Sequence, residues 1–177
     1  SYLDSIEKCF SENDQVVLIV NSKKTSIYLQ KKKIQHYLFN KSNILTHIYF
    51  FFFNLTFFQK IFFRLRLENP FEKFLKKNKI NLIIFSSPSF YVFYCKKINY
   101  VVNIWNTEIK NFSFFPELKK NLAYQQQDDI ITECVKNAFR IILFSKQNVN
   151  DLVSLYNCPR EKIVTQLMIP NLPTVYE

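Results

Sequence analysis

Short apolar runs of strand length alternate with amphipathic helical patterns along the chain, and this alternation limits the possible folds more than any other feature. Strands are predicted at 15–21, 44–53, 81–85, 100–105, 140–144 and 162–167. Helices are predicted at 2–12, 25–39, 70–78, 123–139 and after Ser145. β-branched apolar runs favour strands, and apolar residues three and four apart favour helices. The alternation predicts an α/β fold, a Rossmann-like and mostly parallel sheet with right-handed crossovers and helices on both faces.

Local signals sharpen several of these elements. Asn69 is a candidate N-cap, and Pro70 suits the first position of the helix that follows. The continuously apolar run at 81–85 is typical of a strand covered on both faces. Spacing predicts that one face of the 123–139 helix is buried, and that this face includes Phe139. In the 25–39 helix, Lys31, Lys32 and Lys33 are expected on the solvent side.

Glycine is absent from all 177 positions, which excludes the glycine-rich phosphate loops of nucleotide-binding proteins. Those loops need glycine because the backbone must approach the phosphates closely. The four cysteines are widely separated without a CxxC pair, so buried, reduced thiols are expected and no metal site is predicted. His36 and His47 lie outside every motif, and a structural role is expected for both.

The net charge of +10 suits nucleic acid or an anionic membrane surface. The apolar stretch at 44–63 has the length of a membrane span, which needs about 20 mainly apolar residues. His47, Asn54, Gln59 and Lys60 interrupt it, and each is costly inside hydrocarbon. Three interpretations stay open: a span, an interfacial contact, and a buried strand followed by a helix, of which the last is favoured. The lysines and arginines that follow fit anionic lipid and a solvated helix face equally well.

Polar and aromatic side chains follow the predicted strands where each strand ends. The candidate binding residues are Asn21, Ser22, Ser86, Ser87, Trp105, Asn106, Glu108, Phe115, Glu117 and Ser145. Because ligands of parallel sheets bind beyond the carboxyl ends of the strands, we expect these residues to share one rim. Hydroxyls, amides and carboxylates beside aromatic rings suit a sugar. Ordinary loop and helix capping is the alternative for Asn106, Glu108, Glu117 and Ser145.

The succession of segments over about residues 68–170 resembles the amino-terminal domain of GT-B-fold retaining glycosyltransferases, the large group that includes many mannosyl and glucosyl transferases. The segments are FLKKNKINLIIFSSPS, YVVNIWNTEIKNFSFFPEL, KNAFRIILFS and KQNVNDLVSLYNCPREKIV. The chain departs from the pattern at Asn106, where an aspartate is common, and at Ile109, where a histidine often stands. Gln127 and Asp128 stand where Arg-Glu is expected, and NSKKTS replaces the early glycine-rich loop.

The resemblance implies an acceptor-side domain over 1–170, with 171–177 beginning an interdomain linker and a second, donor-binding domain outside these residues. It implies transfer of a hexose from a UDP- or GDP-hexose, with no required metal and no cofactor in this domain, and it identifies no catalytic residue. The implied partners are a sugar or lipid-linked glycan acceptor and an anionic membrane surface, not nucleic acid. The implied location is cytoplasmic, peripheral to the inner face of the membrane. The alternative is a basic, Phe-rich, non-enzymatic module that associates with membranes or nucleic acid.

Overall fold

The computed structural model describes residues 15–39, 69–107, 110 and 123–166. The chain divides into two compact units, Ser1–Pro70 and Phe71–Glu177. The predicted α/β class is confirmed, because parallel sheets and helices make up both units and every described strand pair is parallel. The predicted elements at 2–12 and 44–53, and the apolar stretch at 44–63, lie outside the described residues.

In the described residues 15–39, the first unit contains a two-stranded parallel sheet and one helix. Its elements are β1 (Leu18–Val20), α1 (Lys23–Lys31) and β2 (His36–Leu38). The register places Leu18 beside His36. Ser22 caps α1, since its side chain accepts a hydrogen bond from the Thr25 amide at 3.5 Å. Of the strand predicted at 15–21, residues Leu18–Val20 form β1.

The predicted helix over 25–39 is wrong in its second half. Helix α1 ends at Lys31, and Lys33 takes a left-handed backbone with φ of 57°. The chain then becomes β2, whose backbone pairs with β1, so strand pairing overrides the local helical pattern. The His36 ring bonds the Ser26 hydroxyl at 2.8 Å and the Ile34 carbonyl at 2.9 Å, which confirms a structural role for this histidine. Lys31, Lys32 and Lys33 are exposed, as predicted.

The second unit is built on a four-stranded parallel sheet in the order β3-β4-β5-β6. Its strands are β3 (Leu82–Phe85), β4 (Asn99–Ile104), β5 (Arg140–Leu143) and β6 (Ile163–Thr165). Its described helices are α2 (Pro70–Lys77), α3 (Ala123–Asn137) and α4 (Lys146–Tyr156), with two 3₁₀ helices, Phe90–Tyr94 and Arg160–Lys162. The three connections between strands all advance in one direction across the sheet.

One face of this sheet carries the core. Val102 lies beside Phe85 and Ile141 in the parallel register, and Tyr100, Val102, Ile104, Ile141 and Leu143 are completely buried. Side chains alternate between the two faces of a strand. On the other face, Leu82 is 41% exposed and Ile84 is 39% exposed. The prediction that this strand is covered on both faces is wrong, because Leu82 and Ile84 share one face of β3 and are both exposed.

The other predicted elements of the second unit are confirmed to within about two residues at each end. Phe139 is an exception to the predicted burial, since its side chain is 53% exposed. Helix α3 has already ended at Asn137, and the Phe139 amide donates to the Tyr100 carbonyl at 2.9 Å. Phe139 therefore belongs to the start of the strand ladder instead of the helix face, and the Arg140 guanidinium lies over its ring at 4.8 Å.

Three cysteines, Cys95, Cys134 and Cys158, are buried free thiols, as predicted. Burial, together with the nearby Glu72 carboxylate, raises the pKa of Cys95 to about 12. Burial, together with Glu133, raises the pKa of Cys134 to about 12 as well. These thiols are protonated at neutral pH and poorly suited to nucleophilic chemistry. Cys9 lies outside the described residues.

Candidate functional site

The carboxyl ends of β3, β4 and β5 meet at one edge of the sheet, called here the rim and formed by 86–88, 105–107 and 144–145. Trp105 connects these ends. Its indole N–H donates to the Ser86 carbonyl at 2.7 Å. Its ring stacks on Phe144 with centroids 4.5 Å apart and planes inclined by 27°. The indole is thus fixed from two neighbouring strands while remaining 48% exposed.

The start of α4 closes one side of the rim. Ser145 is the N-cap of this helix, and its hydroxyl accepts a hydrogen bond from the Asn148 amide at 3.0 Å. The side-chain amide of Asn148 donates in turn to the Trp105 carbonyl at 3.1 Å. Asn148 therefore ties the first turn of the helix to the end of β4. Capping is the role that the structure shows for Ser145.

A buried carboxylate lies behind the rim. Asp151 is only 7% exposed, and Thr107 beside it is completely buried. Asp151 accepts a hydrogen bond from the Thr107 hydroxyl at 3.5 Å and one from the Gln147 side-chain amide at 2.9 Å. A buried charge needs such partners. These contacts attach the chain leaving β4 to the inner side of α4.

A pocket of about 260 Å³ opens between the rim and α3. Its lining residues are Pro88, Trp105, Asn106, Gln127, Ile130 and Ile131. Among the described residues that line it, none carries a charged side chain, and the polar groups are two side-chain amides and an indole. The volume is below the roughly 300–1,000 Å³ of pockets that hold drug-sized ligands, which suits a single small ring. The pocket thus offers hydrogen-bond donors and acceptors beside a fixed aromatic surface.

Lys110, which follows the rim in the chain, contacts three residues. The Lys110 ammonium donates to the Leu155 carbonyl at 3.2 Å, lies 3.7 Å from an oxygen of Asp128 and sits 4.1 Å above the Tyr156 ring. The Tyr156 hydroxyl donates to Asp128 at 2.8 Å. Burial, and then this hydrogen bond, raises the pKa of Tyr156. Asp128 is therefore engaged with Tyr156 and Lys110, outside the pocket lining.

Several of the predicted site residues lie together in the structure, whereas the shared position of the others is not tested by it. Ser86, Trp105, Asn106 and Ser145 lie along the rim, and Ser87 follows β3 as an exposed residue next to Ser86. Of these, Trp105 and Asn106 line the pocket. Glu108, Phe115 and Glu117 lie outside the described residues. Asn21 and Ser22 follow β1 in the first unit, and their participation in a shared site stays a prediction.

Four pocket residues were not among the candidates: Pro88, Gln127, Ile130 and Ile131. In the sequence, Gln127 is notable only as a departure from the pattern of the resembled family. The two isoleucines belong to the apolar face of α3, which reads as ordinary core. Their three- and four-residue distance from Gln127 places all three on one helical face, and that spacing was the available signal.

The ranges that the structure describes, 15–39, 69–107, 110 and 123–166, bear on metal and membrane sites. Within them, no group of three His, Cys, Asp or Glu residues is placed to hold a metal ion. None of the helices in the same ranges combines the length and the apolar character needed to cross a membrane. Among known proteins, no family model matches the sequence, and no curated protein matches it.

Proposed function

We propose that the chain is the acceptor-binding half of a glycosyltransferase and that the rim pocket holds a sugar ring of the acceptor. The observation that carries this proposal is the fixed, half-exposed indole of Trp105 in a pocket with two side-chain amides. The resemblance over about residues 68–170 to retaining GT-B-fold glycosyltransferases supports it independently. Both arguments converge on the carboxyl ends of the parallel strands, where α/β proteins bind ligands.

Trp105 suits the apolar face of a sugar. Phe144 stacks on one face of the indole, so a sugar would pack against the other face. The hydrogen bond to the Ser86 carbonyl fixes the ring before a ligand arrives, and this lowers the entropy that binding must lose. Aromatic rings contribute large apolar contacts in specific geometries, which matches the C–H face of a pyranose.

Asn106 and Gln127 suit the hydroxyls of the same sugar. A primary amide offers an acceptor oxygen and two N–H donors, and a hydroxyl needs both. An amide neither takes up a proton as a carboxylate does nor balances a phosphate charge as arginine does. We therefore assign Asn106 and Gln127 to acceptor binding, and a neutral hexose is the ligand group that fits this lining.

The complete reaction would move a hexose from UDP- or GDP-hexose to a cell-surface polysaccharide or glycolipid precursor. In the resembled family a second domain binds the donor, and transfer needs the cleft between both domains because the reactants must be held together. This chain alone is expected to bind an acceptor and to show little or no transfer. The proposal includes a cytoplasmic location at the inner face of the membrane, where lipid-linked acceptors are available.

Saturation-transfer NMR tests the proposal with methyl α-glucopyranoside and methyl α-mannopyranoside as probes. We expect transfer to at least one of them from the unmodified chain. Trp105→Ala should weaken binding by roughly 2- to 10-fold, since a contact of this kind contributes about 0.5–1.5 kcal/mol. Gln127→Ala should weaken it less. Phe139→Ala is the matched control, because Phe139 is an exposed aromatic residue outside the pocket.

Three results would overturn the proposal, of which the first two concern the extent of transfer. One is the absence of saturation transfer to either glycoside at high ligand concentration. The other is equal transfer in the unmodified chain and in Trp105→Ala, with Phe139→Ala also unchanged. A loss in Phe139→Ala as large as in Trp105→Ala would likewise argue against a sugar site at the rim, because it would indicate nonspecific contact with aromatic surfaces.

A further inference from the structure

A second groove lies at the opposite end of the same sheet, where the chain enters β3 and β4. Its volume is about 450 Å³. Three lysines line it, Lys76, Lys79 and Lys97, together with the side-chain amides of Asn81 and Asn99. We refer to it as the lysine groove. The proposed transferase reaction makes no use of this groove.

Two of the three lysines in the lysine groove bring positive charge that is not paired within the described residues. Lys79 and Lys97 are exposed, and their ammonium groups form no ion pair within the described part of the chain. The nearby carboxylate of Glu72 points inward, since it is 2% exposed and accepts hydrogen bonds from the backbone amides of Lys96 and Lys97. Glu133 forms its ion pair with Lys96. Neither carboxylate forms an ion pair with the ammonium group of Lys79 or Lys97 in the described part of the chain.

The backbone around the groove is firmly placed. At the end of α2, the Lys79 amide donates to the Lys76 carbonyl and the Ile80 amide donates to the Leu75 carbonyl, each at 3.0 Å. Lys79 itself has φ of 56°. Such paired bonds close the end of a helix and fix the following residues. On the other wall, the backbone amides of Lys96 and Lys97 each donate a hydrogen bond to Glu72, and these bonds fix the backbone at Lys97.

We propose that the lysine groove binds a phosphoryl group. Lysine ammonium groups are point charges with three N–H donors each and are common phosphate ligands. Asparagine amides add N–H donors beside them. Several cations in one groove favour a multiply charged phosphate over a singly charged carboxylate, because each ammonium gains from each negative charge. A free phosphate compound and a phospholipid headgroup share this chemistry.

The groove is independent of the rim pocket. Strand β4 has six residues and separates the two, and at about 3.3 Å per residue it spans roughly 20 Å. An anion in the lysine groove would lie beyond the screening length of physiological salt, about 8 Å, from a ligand at the rim. The inference therefore stands or falls separately from the proposed transferase function.

The test uses the whole chain with two probes: inorganic pyrophosphate, followed by amide chemical shifts, and vesicles of phosphatidylcholine with phosphatidylglycerol, followed by cosedimentation. The groove variant is Lys79→Gln with Lys97→Gln. The control is Lys32→Gln with Lys136→Gln, which removes the same charge from exposed positions outside the groove. We expect the groove variant to weaken binding by roughly 2- to 30-fold, since it removes two exposed charges and each exposed ion pair contributes modestly. The control should bind as the unmodified chain does.

The two probes separate the sources of the phosphoryl group. Pyrophosphate binding that shifts the Asn81 and Asn99 amides, and that weakens in the groove variant alone, supports a site for soluble phosphate compounds. Binding to the anionic vesicles but not to pyrophosphate, again weakened in the groove variant alone, supports a phospholipid headgroup. Binding to neither probe, or equal weakening in both variants, overturns the proposal, since the latter result would reflect net charge only.

Discussion

The two ends of the second unit's sheet are each supported by a buried carboxylate, yet they present opposite kinds of surface. At the amino end, Glu72 lies beneath the lysine groove and is 2% exposed. At the carboxyl end, Asp151 lies behind the rim and is 7% exposed. Outside Glu72 are lysines, whereas outside Asp151 are an indole and amides. Both ends of this parallel sheet thus have a buried carboxylate beneath the surface. The side chains outside that carboxylate determine which ligand chemistry each end fits.

The two carboxylates differ in the hydrogen-bond donors that contact them. One oxygen of Glu72 accepts hydrogen bonds from the backbone amides of Lys96 and Lys97, both at 2.6 Å. Asp151 accepts its bonds from side chains, Thr107 at 3.5 Å and Gln147 at 2.9 Å. Short, charge-assisted bonds to the backbone are the stronger kind. Glu72 at the amino end is therefore held by the main chain, while Asp151 behind the rim is held by side chains.

The largest expected effect is on stability. Glu72→Ala should lower the free energy of unfolding by roughly 3 kcal/mol, because it removes two short charge-assisted hydrogen bonds. Asp151→Ala should lower it by roughly 2 kcal/mol, because one of its two hydrogen bonds is long, at 3.5 Å. Urea denaturation at neutral pH measures both. Glu161→Ala, at an exposed site, is the control and should change little. Equal losses for Glu72→Ala and Asp151→Ala would remove the contrast drawn between the two ends.

A second effect, smaller for each thiol within any one pH unit, is expected in alkali. Burial raises the pKa values of Cys95 and Cys134 from an ordinary value of 9.0 to about 12. The unfolded chain loses these protons first, so the stabilisation is complete below pH of about 9 and is lost as pH rises towards about 12. Each thiol contributes a slope of at most about 1.4 kcal/mol per pH unit in this window.

The alkaline effect is measured as the urea midpoint at a series of pH values. Lysines and tyrosines also titrate there, so the informative quantity is the difference between variants. Cys134→Ala should show a shallower decline in stability with pH than the unmodified chain, even though truncating a buried side chain lowers its stability at neutral pH. An unchanged slope would show that the Cys134 thiolate is not penalised by its surroundings.

Much of the fold follows from local sequence pattern, because apolar periodicity and capping act over a few residues. The helix beginning at Pro70 and the capping of the last helix by Ser145 are examples. Strand β2 was not predictable in the same way, since His36–Leu38 become a strand only by pairing with β1. The exposure of Leu82 and Ile84 also depends on what packs against their shared face of β3, which a single strand's sequence does not encode.

The candidate site likewise combines residues that the sequence identifies with residues that only the fold brings together. Trp105 and Asn106 could be selected from the sequence because they directly follow an apolar strand. The wall formed by Ile130 and Ile131 depends on how α3 packs beside the end of β4, so it becomes visible only in three dimensions. The attachment of Lys110 to the Leu155 carbonyl joins residues far apart in the chain and has no local signature.

The smallest expected effect uses Trp105 as a reporter, since it is the single tryptophan of the chain. A hexoside in the rim pocket should shift its emission slightly to shorter wavelength, because the half-exposed indole loses contact with water. Pyrophosphate in the lysine groove should leave the emission unchanged, as the two sites are roughly 20 Å apart by the length of β4. Titrations monitored at the emission maximum give both results on the same sample, with sodium chloride at equal ionic strength as the control. An emission shift caused by pyrophosphate but not by the chloride control would mean that the two ends of the sheet are coupled, and the separation of their ligands would then have to be abandoned.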